Sequence, residues 1–298
     1  MSHPLDSHHE YSPAVEIKPP RRPWLERVLR PDRPGVNVVL FLLTFVSTFL
    51  TGYLPENNIA HGLWYSTGII AILLFHEMGH YLMCVRHGIR ATLPYFLPFP
   101  FSPFGTLGAV IRMDARMPDR RVLFDVGVAG PLAGLLITIP AIYFGLKMSH
   151  VVPVNDISGG LTLGDSWLFR WISSLAIGEV PDNMDTLLHP LAYAGWTGLF
   201  VTALNLLPIG QLDGGHILYA LMGERVQQVF TINMAFFALI CILQYSGWVL
   251  LIVLLLWFGY RHPPTQNADT PLDTKRQLLA YLTFVIFLVS FTPVPFKF

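Results

Sequence analysis

The stretch Gly62–Arg86, GLWYSTGIIAILLFHEMGHYLMCVR, is apolar and of spanning length, and yet its interior carries two histidines and a glutamate. These are His76, Glu77 and His80. A bilayer core takes about 20 apolar residues of helix. An ionisable side chain at the centre of such a helix costs about 2.5–3.5 kcal/mol and is retained for function. The stretch therefore predicts a membrane-spanning helix that carries chemistry.

The composition of the whole chain agrees with a membrane protein. Of its 298 residues, 53% are hydrophobic and only 13% are charged. Soluble globular proteins carry about 25% charged residues, so this chain lacks the polar surface of a soluble body of its size. Its net charge is +0, which provides no basic field for nucleic acid. The two cysteines, Cys84 and Cys241, fit neither a disulfide framework nor a cysteine-based metal site.

Further apolar runs along the chain predict an all-α polytopic membrane protein with six to seven transmembrane helices. Residues 1–35, which are rich in proline and charge, predict a disordered cytoplasmic tail. We expect an accessory N-terminal transmembrane helix within 36–61, a core over 62–222 and C-terminal transmembrane helices in 223–298. The spans are expected at Val36–Leu54, Gly62–Arg86, Arg121–Lys147, His189–Leu207, twice within Val226–Tyr260, and at Leu278–Pro293.

The distribution of Lys and Arg predicts the orientation of the chain. The N-terminal tail is basic, whereas Pro55–His61 has no Lys or Arg and Val151–Leu188 has only Arg170. We therefore expect a cytoplasmic N-terminus. In this orientation His76–His80 lie toward the cytoplasmic end of their span and Asp213 lies just past the cytoplasmic end of the fourth span, at the same depth.

The sequence His76-Glu77-Met78-Gly79-His80 has the spacing of a metal site. Residues i and i+4 share one face of a helix, so both imidazoles can reach one ion. Glu77, beside the first histidine, can take a proton from the attacking water. Structural zinc sites are usually closed by four protein ligands, often cysteines, so this pattern favours a hydrolytic zinc site.

A catalytic zinc takes three protein ligands, and Asp213 is the expected third. It follows Pro208 and Gly210, which end the preceding span, and precedes two glycines that allow close approach of backbone. Asp213 could also cap the helix that follows it, and the two functions are compatible. His216, three residues further on, is a rival ligand that ranks below Asp213.

Other polar or small residues in the predicted spans are open to more than one interpretation. Asn205 could form an inter-helix hydrogen bond or donate to the oxyanion of a tetrahedral intermediate. Asp125 could be a helix cap, the partner of an arginine or a group behind the metal ligands. Gly130 and Gly134 form a small-xxx-small pair, which is typical of close helix packing.

The segment between the second and third spans predicts a small re-entrant β element. Leu93–Phe104 is apolar, but its prolines prevent a helix. Gly105–Met113 alternates like a strand. Non-helical backbone at membrane depth is tolerated only where protein buries it or where it lines a wet cavity. We expect this element to pair with an extended client by strand addition.

Four of these motifs, in this order, resemble the site-2 protease family of intramembrane zinc metalloproteases. They are His76–His80, Gly105–Met113, Ala129–Gly134 and Asn205–His216. The run from Gly105 to Gly134 and the stretch His189–Trp196 look most like the branch typified by the ethylene-dependent gravitropism-deficient and yellow-green proteins.

The resemblance implies one Zn²⁺ per chain on His76, His80 and Asp213, with Glu77 as the catalytic acid–base and Asn205 as a further catalytic residue. The implied partners are lipid and a membrane-protein client with a transmembrane helix, cleaved in or beside that helix. The implied location is a bacterial inner membrane. Two other functions stay open, a membrane zinc hydrolase acting on other peptides and a non-enzymatic transporter or assembly factor.

Overall fold

The structure is a computed structural model that describes residues 34–114, 117–154, 162–181, 183–245, 247–258 and 262–297. The predicted disordered tail lies outside these residues, except for its last positions. Pro34 and Gly35 already belong to the first helix, which corrects the predicted boundary. Proline is tolerated in the first turn of a helix, because its missing N–H has no intrahelical partner there.

The chain is a membrane protein, and three of its described helices are long and apolar enough to cross a bilayer. They are α1 (Pro34–Tyr53), α2 (Ile59–Arg86) and α3 (Arg120–Lys147). They coincide with the first three predicted spans to within a few residues. The total of six to seven spans stays a prediction.

The remaining helices are shorter, and most of them lie where further spans are expected. Val226–Tyr260 contains two helices with a break after Gln244, as its length predicts. The described helices are α4 (Trp167–Ile177), α5 (Pro190–Asn205), α6 (Asp213–Met222), α7 (Val226–Gln244), α8 (Trp248–Phe258) and α9 (Thr274–Ser290).

Side-chain caps fix the starts of the helices that surround the polar motifs. Asn58 Oδ1 accepts a hydrogen bond from the Ala60 N–H at the start of α2. Asp119 Oδ1 accepts from the N–H groups of Arg121 and Val122 and so begins α3. Each cap satisfies backbone donors that the first turn of a helix leaves without a partner.

Helix α3 packs at the centre of the fold, and glycines allow its neighbours to approach closely. A Cβ atom at Gly79 of α2 would lie 2.4 Å from the Ala129 carbonyl oxygen of α3. A Cβ atom at Gly145 of α3 would lie 2.2 Å from the Ala192 nitrogen of α5. Small residues at helix crossings are the usual means of close packing in a membrane, where lipid removes the hydrophobic drive between helices.

The predicted β element is an antiparallel hairpin of β1 (Tyr95–Pro98) and β2 (Thr106–Val110). Tyr95 pairs with Val110 and Phe96 with Ala109. That this hairpin re-enters the bilayer stays a prediction.

Two further strand pairs were not predicted, so the all-α description needs this addition. The strands β3 (His150–Pro153) and β5 (Met184–Leu187) pair within the polar segment that follows α3. The strands β4 (Thr162–Leu163) and β6 (Phe296–Lys297) join that segment to the C-terminal end of the chain. Pairing between such short and distant strands leaves no pattern in the sequence.

Candidate metal centre

Two imidazoles and one carboxylate converge between α2 and α6. His76 Nε2 lies 3.2 Å from Asp213 Oδ2, and His80 Nε2 lies 3.4 Å from Asp213 Oδ1. The two imidazole Nε2 atoms are 3.2 Å apart. In the described part of the chain, His76, His80 and Asp213 thus form a group of side chains that could hold a metal ion.

The turn between α5 and α6 carries Asp213 to the histidines. A Cβ atom at Gly214 would lie 2.0 Å from the Leu206 carbonyl oxygen, and one at Gly215 would lie 2.2 Å from that of Gly210. These glycines therefore allow the close backbone approach that the sequence predicts. The N-cap position of α6 is Leu212 and Asp213 is the first residue within the helix, so Asp213 is not the cap of this helix.

The tautomer of His80 follows from its hydrogen bond to α3. His80 Nδ1 lies 2.8 Å from the Val126 carbonyl oxygen. A carbonyl oxygen can only accept, so Nδ1 carries a hydrogen, and Nε2 is the ring nitrogen that faces Asp213 and would bind an ion. A backbone acceptor behind a ligating histidine is the usual device that orients the ring toward a metal.

Gly130 and Gly134 of α3 provide the space that the two imidazoles occupy. A Cβ atom at Gly130 would lie 2.0 Å from His80 Nε2, and one at Gly134 would lie 3.2 Å from His76 Nδ1. The small-xxx-small pattern predicts helix packing for this pair and does not predict its contact with the site. The sequence offers one signal of this contact, because the two glycines have the same i, i+4 spacing as the two histidines.

Glu77 and Asn205 also lie beside the convergent side chains. Glu77 is buried, and the Ile111 backbone N–H, one residue beyond β2, is within hydrogen-bonding reach of its carboxylate. Asn205 ends α5, and its Nδ2 lies 3.3 Å from His76 Nε2. The structure thus brings together the five side chains that the sequence predicts as metal ligands or catalytic groups, namely His76, Glu77, His80, Asn205 and Asp213.

His216 does not join this group. Its Nδ1 lies 2.6 Å from Nε2 of His262, and His262 Nδ1 lies 2.6 Å from the Pro263 carbonyl oxygen. Because that oxygen accepts, His262 Nδ1 is the donor and the neutral His216 ring donates to His262. The His262 ring also stacks on Tyr219 of α6, with centroids 4.2 Å apart.

Asp125 is the partner of an arginine, one of the interpretations that the sequence left open. Its carboxylate accepts from Arg276 Nε and Nη2, both at 2.7 Å, and its Oδ2 lies 3.0 Å from His87 Nε2. Arg276 also contacts Asp273. This cluster joins the starts of α3 and α9 to the end of α2.

Arg120 holds the far end of the helix that carries Asp213, and the sequence analysis missed it. Its Nε donates to the Ala220 carbonyl at 2.8 Å, and its Nη2 donates to the Leu221 carbonyl at 2.7 Å. A guanidinium on the last carbonyls of a helix also opposes the negative end of the helix dipole. The orientation of α6 therefore depends on a contact with the start of α3.

Comparisons with known proteins identify the family. The sequence pattern of "Peptidase family M50" matches residues 64–244. "Probable zinc metalloprotease EGY1, chloroplastic" of Arabidopsis thaliana is 30% identical over 234 residues, which are 76% of this chain and 42% of that protein. The protein of the same name from Oryza sativa subsp. japonica is 36% identical over 167 residues, 53% of this chain and 28% of that protein.

A second relative from Arabidopsis thaliana, "Probable zinc metalloprotease EGY2, chloroplastic", is 29% identical over 231 residues, 76% of this chain and 41% of that protein. The chain thus spans less than half the length of these curated relatives. The matched residues run from the start of the helix with His76 and His80 to the end of α7 and include Asp213. The predicted resemblance is confirmed, and the chain belongs to peptidase family M50, the site-2 protease family.

Proposed function

We propose that this chain is an intramembrane zinc metalloprotease that hydrolyses peptide bonds in or near the transmembrane segment of membrane-protein clients. The observation that carries the proposal is the buried convergence of His76, His80 and Asp213 beside Glu77. The names of the relatives, which are zinc metalloproteases, support the same chemistry.

The donor set fits zinc. Two neutral imidazoles and one carboxylate are a ligand set of catalytic zinc sites, which keep a further position open for substrate or water. His76, His80 and Asp213 would hold the ion, with the Val126 carbonyl orienting His80. When bound, zinc polarises the scissile carbonyl and makes water more acidic.

Glu77 moves the proton in this proposal. Its carboxylate takes a proton from the attacking water and delivers it to the amine nitrogen that leaves. Glu77 follows His76 directly in α2, so the helix that supplies two ligands also sets the position of the acid–base group. The amide of Asn205 donates to the developing oxyanion at the scissile carbonyl.

The free edge of β2 is the proposed binding place for an unwound client. The Arg112 N–H donates to Thr92 Oγ1 at 3.0 Å, and the Arg112 carbonyl accepts from the Thr92 N–H at 2.9 Å. Both backbone groups of Arg112 thus face the β1 side. Because successive residues of a strand alternate, the backbone groups of Ala109 and Ile111 face the opposite edge. A client strand added there would run toward Glu77.

The chain is also proposed to cross a bacterial inner membrane in six to seven spans, with its N-terminus in the cytoplasm. The Lys and Arg bias supports the orientation. The relatives from plants are named chloroplastic, and the topology is tested in a bacterial host. Alkaline phosphatase inserted after Glu56 in a bacterial host should be active, and phosphatase inserted after Asp269 should be inactive. The reverse pattern would contradict the orientation.

Replacement of Glu77 by glutamine tests the proposed reaction. Glu77→Gln keeps the shape of the side chain but removes its base. The purified chain and the variant should be compared in liposomes with a membrane-spanning client and with a soluble peptide, while zinc content is measured. We expect the variant to retain zinc and to lose cleavage of the spanning client.

Continued cleavage by Glu77→Gln would refute the assigned acid–base. Cleavage of the soluble peptide alone would favour a membrane hydrolase that acts on other peptides. A chain without zinc and without cleavage would favour the transporter or assembly factor.

A further inference from the structure

Helix α1 has the polarity of a helix that buries its polar side. Its buried residues are Thr44, Ser47 and Thr48. Its large exposed residues are apolar, namely Val38, Val39, Leu42, Leu43, Val46 and Leu50. In a bilayer the apolar side faces lipid, and the polar side must find partners within the protein.

The β1–β2 hairpin and its approach supply those partners. Ser47 Oγ donates to the Gly105 carbonyl at 2.6 Å, just before β2. Asn37 Nδ2 lies 3.1 Å from the Leu93 carbonyl oxygen and 2.9 Å from that of Pro94, just before β1. The two side chains lie about three turns apart on α1, so the helix holds the hairpin at both of its ends.

Close packing joins these two points. The rings of Phe41 and Phe96 meet edge to face with centroids 5.2 Å apart, between Asn37 and Ser47. Gly105 has φ of +72°, and a Cβ atom there would lie 2.5 Å from Thr51 Oγ1. The hairpin tip therefore fits against α1 only with glycine at this position.

In the described part of the chain, side-chain hydrogen bonds from other helices reach the hairpin tip. The Tyr65 hydroxyl of α2 donates to the Phe104 carbonyl at 3.0 Å, and the Tyr193 hydroxyl of α5 donates to the Pro103 carbonyl at 2.9 Å. At the Leu93–Pro94 end, the side-chain hydrogen bonds come from Asn37 of α1. β1 begins at this end of the hairpin, where Tyr95 pairs with Val110. Val110 is followed by Ile111, which lies beside Glu77.

We propose that α1 is a positioning helix for client handling and that Asn37 and Ser47 are its positioning residues. They set the position of the free edge of β2 relative to Glu77. They do so by holding the hairpin, whose second strand is followed directly by Ile111 beside Glu77. Helix α1 lies outside the matched family region of 64–244. The positioning function replaces the merely accessory function expected for 36–61 and rests on the proposed function for its link to cleavage.

The mobility of the hairpin tests the proposal without any cleavage. A spin label at Leu107, whose side chain is exposed, should be introduced in a Glu77→Gln chain whose own cysteines are replaced by alanine. The test variants are Ser47→Ala and the pair Asn37→Leu with Ser47→Ala. The matched control is Thr67→Ala, which also removes a hydroxyl from a membrane helix but one bonded only within α2.

We expect faster label motion in both test variants, with the larger change in the double variant, and the control spectrum in Thr67→Ala. Zinc content should be unchanged in all of them. In chains that retain Glu77, we expect KM for the client to rise about threefold to tenfold with a smaller change in kcat, as two lost membrane hydrogen bonds allow.

An immobile label in Ser47→Ala and in the double variant would overturn the proposal. The single variant removes one hydroxyl and keeps the question decidable if the double variant does not fold. Failure of the proposed protease function would appear separately, as intact client with the unmodified chain, and would leave the label spectra interpretable.

Discussion

Gly130 of α3 lies against His80 of α2 so closely that a Cβ atom at this position would be 2.0 Å from His80 Nε2. The imidazole and a methyl group cannot both occupy this space. The Nε2 atom is the one that faces Asp213, at 3.4 Å from its Oδ1. The helix beside the proposed ligands is therefore part of the metal site, although it contributes no ligand.

Replacement of either glycine by alanine should separate this effect from general helix packing. We expect Gly130→Ala to displace the His80 ring and to lower zinc affinity by about 10–100-fold or more, as loss of ligand orientation does. Gly134→Ala is the matched control, because its Cβ would lie 3.2 Å from His76 Nδ1 and requires only a small shift. Competition with a zinc chelator measures both affinities. Equal losses in the two variants would mean that packing, and not the ring position, is responsible.

Asn205→Ala should distinguish the two interpretations of this amide. If its Nδ2 donates to the oxyanion, we expect kcat to fall by about 10²–10³-fold with zinc content unchanged. If it forms only an inter-helix hydrogen bond to His76, stability should fall by about 0.6 kcal/mol with kcat unchanged. Single-turnover cleavage and thermal unfolding of the same preparation measure both quantities. An unchanged kcat would remove Asn205 from the mechanism.

Arg120→Gln should weaken zinc binding through α6. The guanidinium donates to two carbonyls in the last turn of the helix that begins with Asp213. Hydrogen bonds from charged groups contribute about 1.5–3 kcal/mol, so both Tm and zinc affinity should fall. Arg121→Gln is the control, because Arg121 donates to the Pro271 carbonyl, which lies outside α6. A variant of Arg120 with unchanged zinc affinity would show that α6 does not need this contact.

Proline at Ala109 should block strand addition at the free edge of β2. The Ala109 N–H faces the free edge of β2 by the alternation set at Arg112, and proline removes this donor. We expect cleavage of a membrane-spanning client to be lost and zinc to be retained. Ala109→Val keeps the N–H and should cleave normally. Equal cleavage by the proline and valine variants would exclude pairing at this edge.

The sequence singles out the side chains of the candidate metal centre, because the chemistry is carried by residue types that are rare in a spanning helix. The i, i+4 spacing identifies His76 and His80, and the charge bias places Asp213 at the same depth. The contact of Gly130 with His80 was not predictable in the same way. A glycine pair is typical of many helix crossings, and nothing in the pair itself shows what fills the space beside it.

Contacts with distant backbone were also beyond the sequence. Asn37 and Ser47 bind carbonyl oxygens more than fifty positions away, and any residue type offers such a carbonyl. The positions of helices α1 to α3 along the chain follow from the length of the apolar runs alone. The pairings of β3 with β5 and of β4 with β6 do not, because two to four residues carry too little pattern to identify a partner strand.

X-ray absorption at the zinc edge on the purified chain, together with its metal content, tests whether His76, His80 and Asp213 bind the ion. We expect one zinc per chain, bound by nitrogen and oxygen alone at about 2.0–2.2 Å, with loss of the ion in His76→Ala, His80→Ala and Asp213→Ala. A sulfur ligand, or full zinc occupancy in Asp213→Ala, would contradict this assignment.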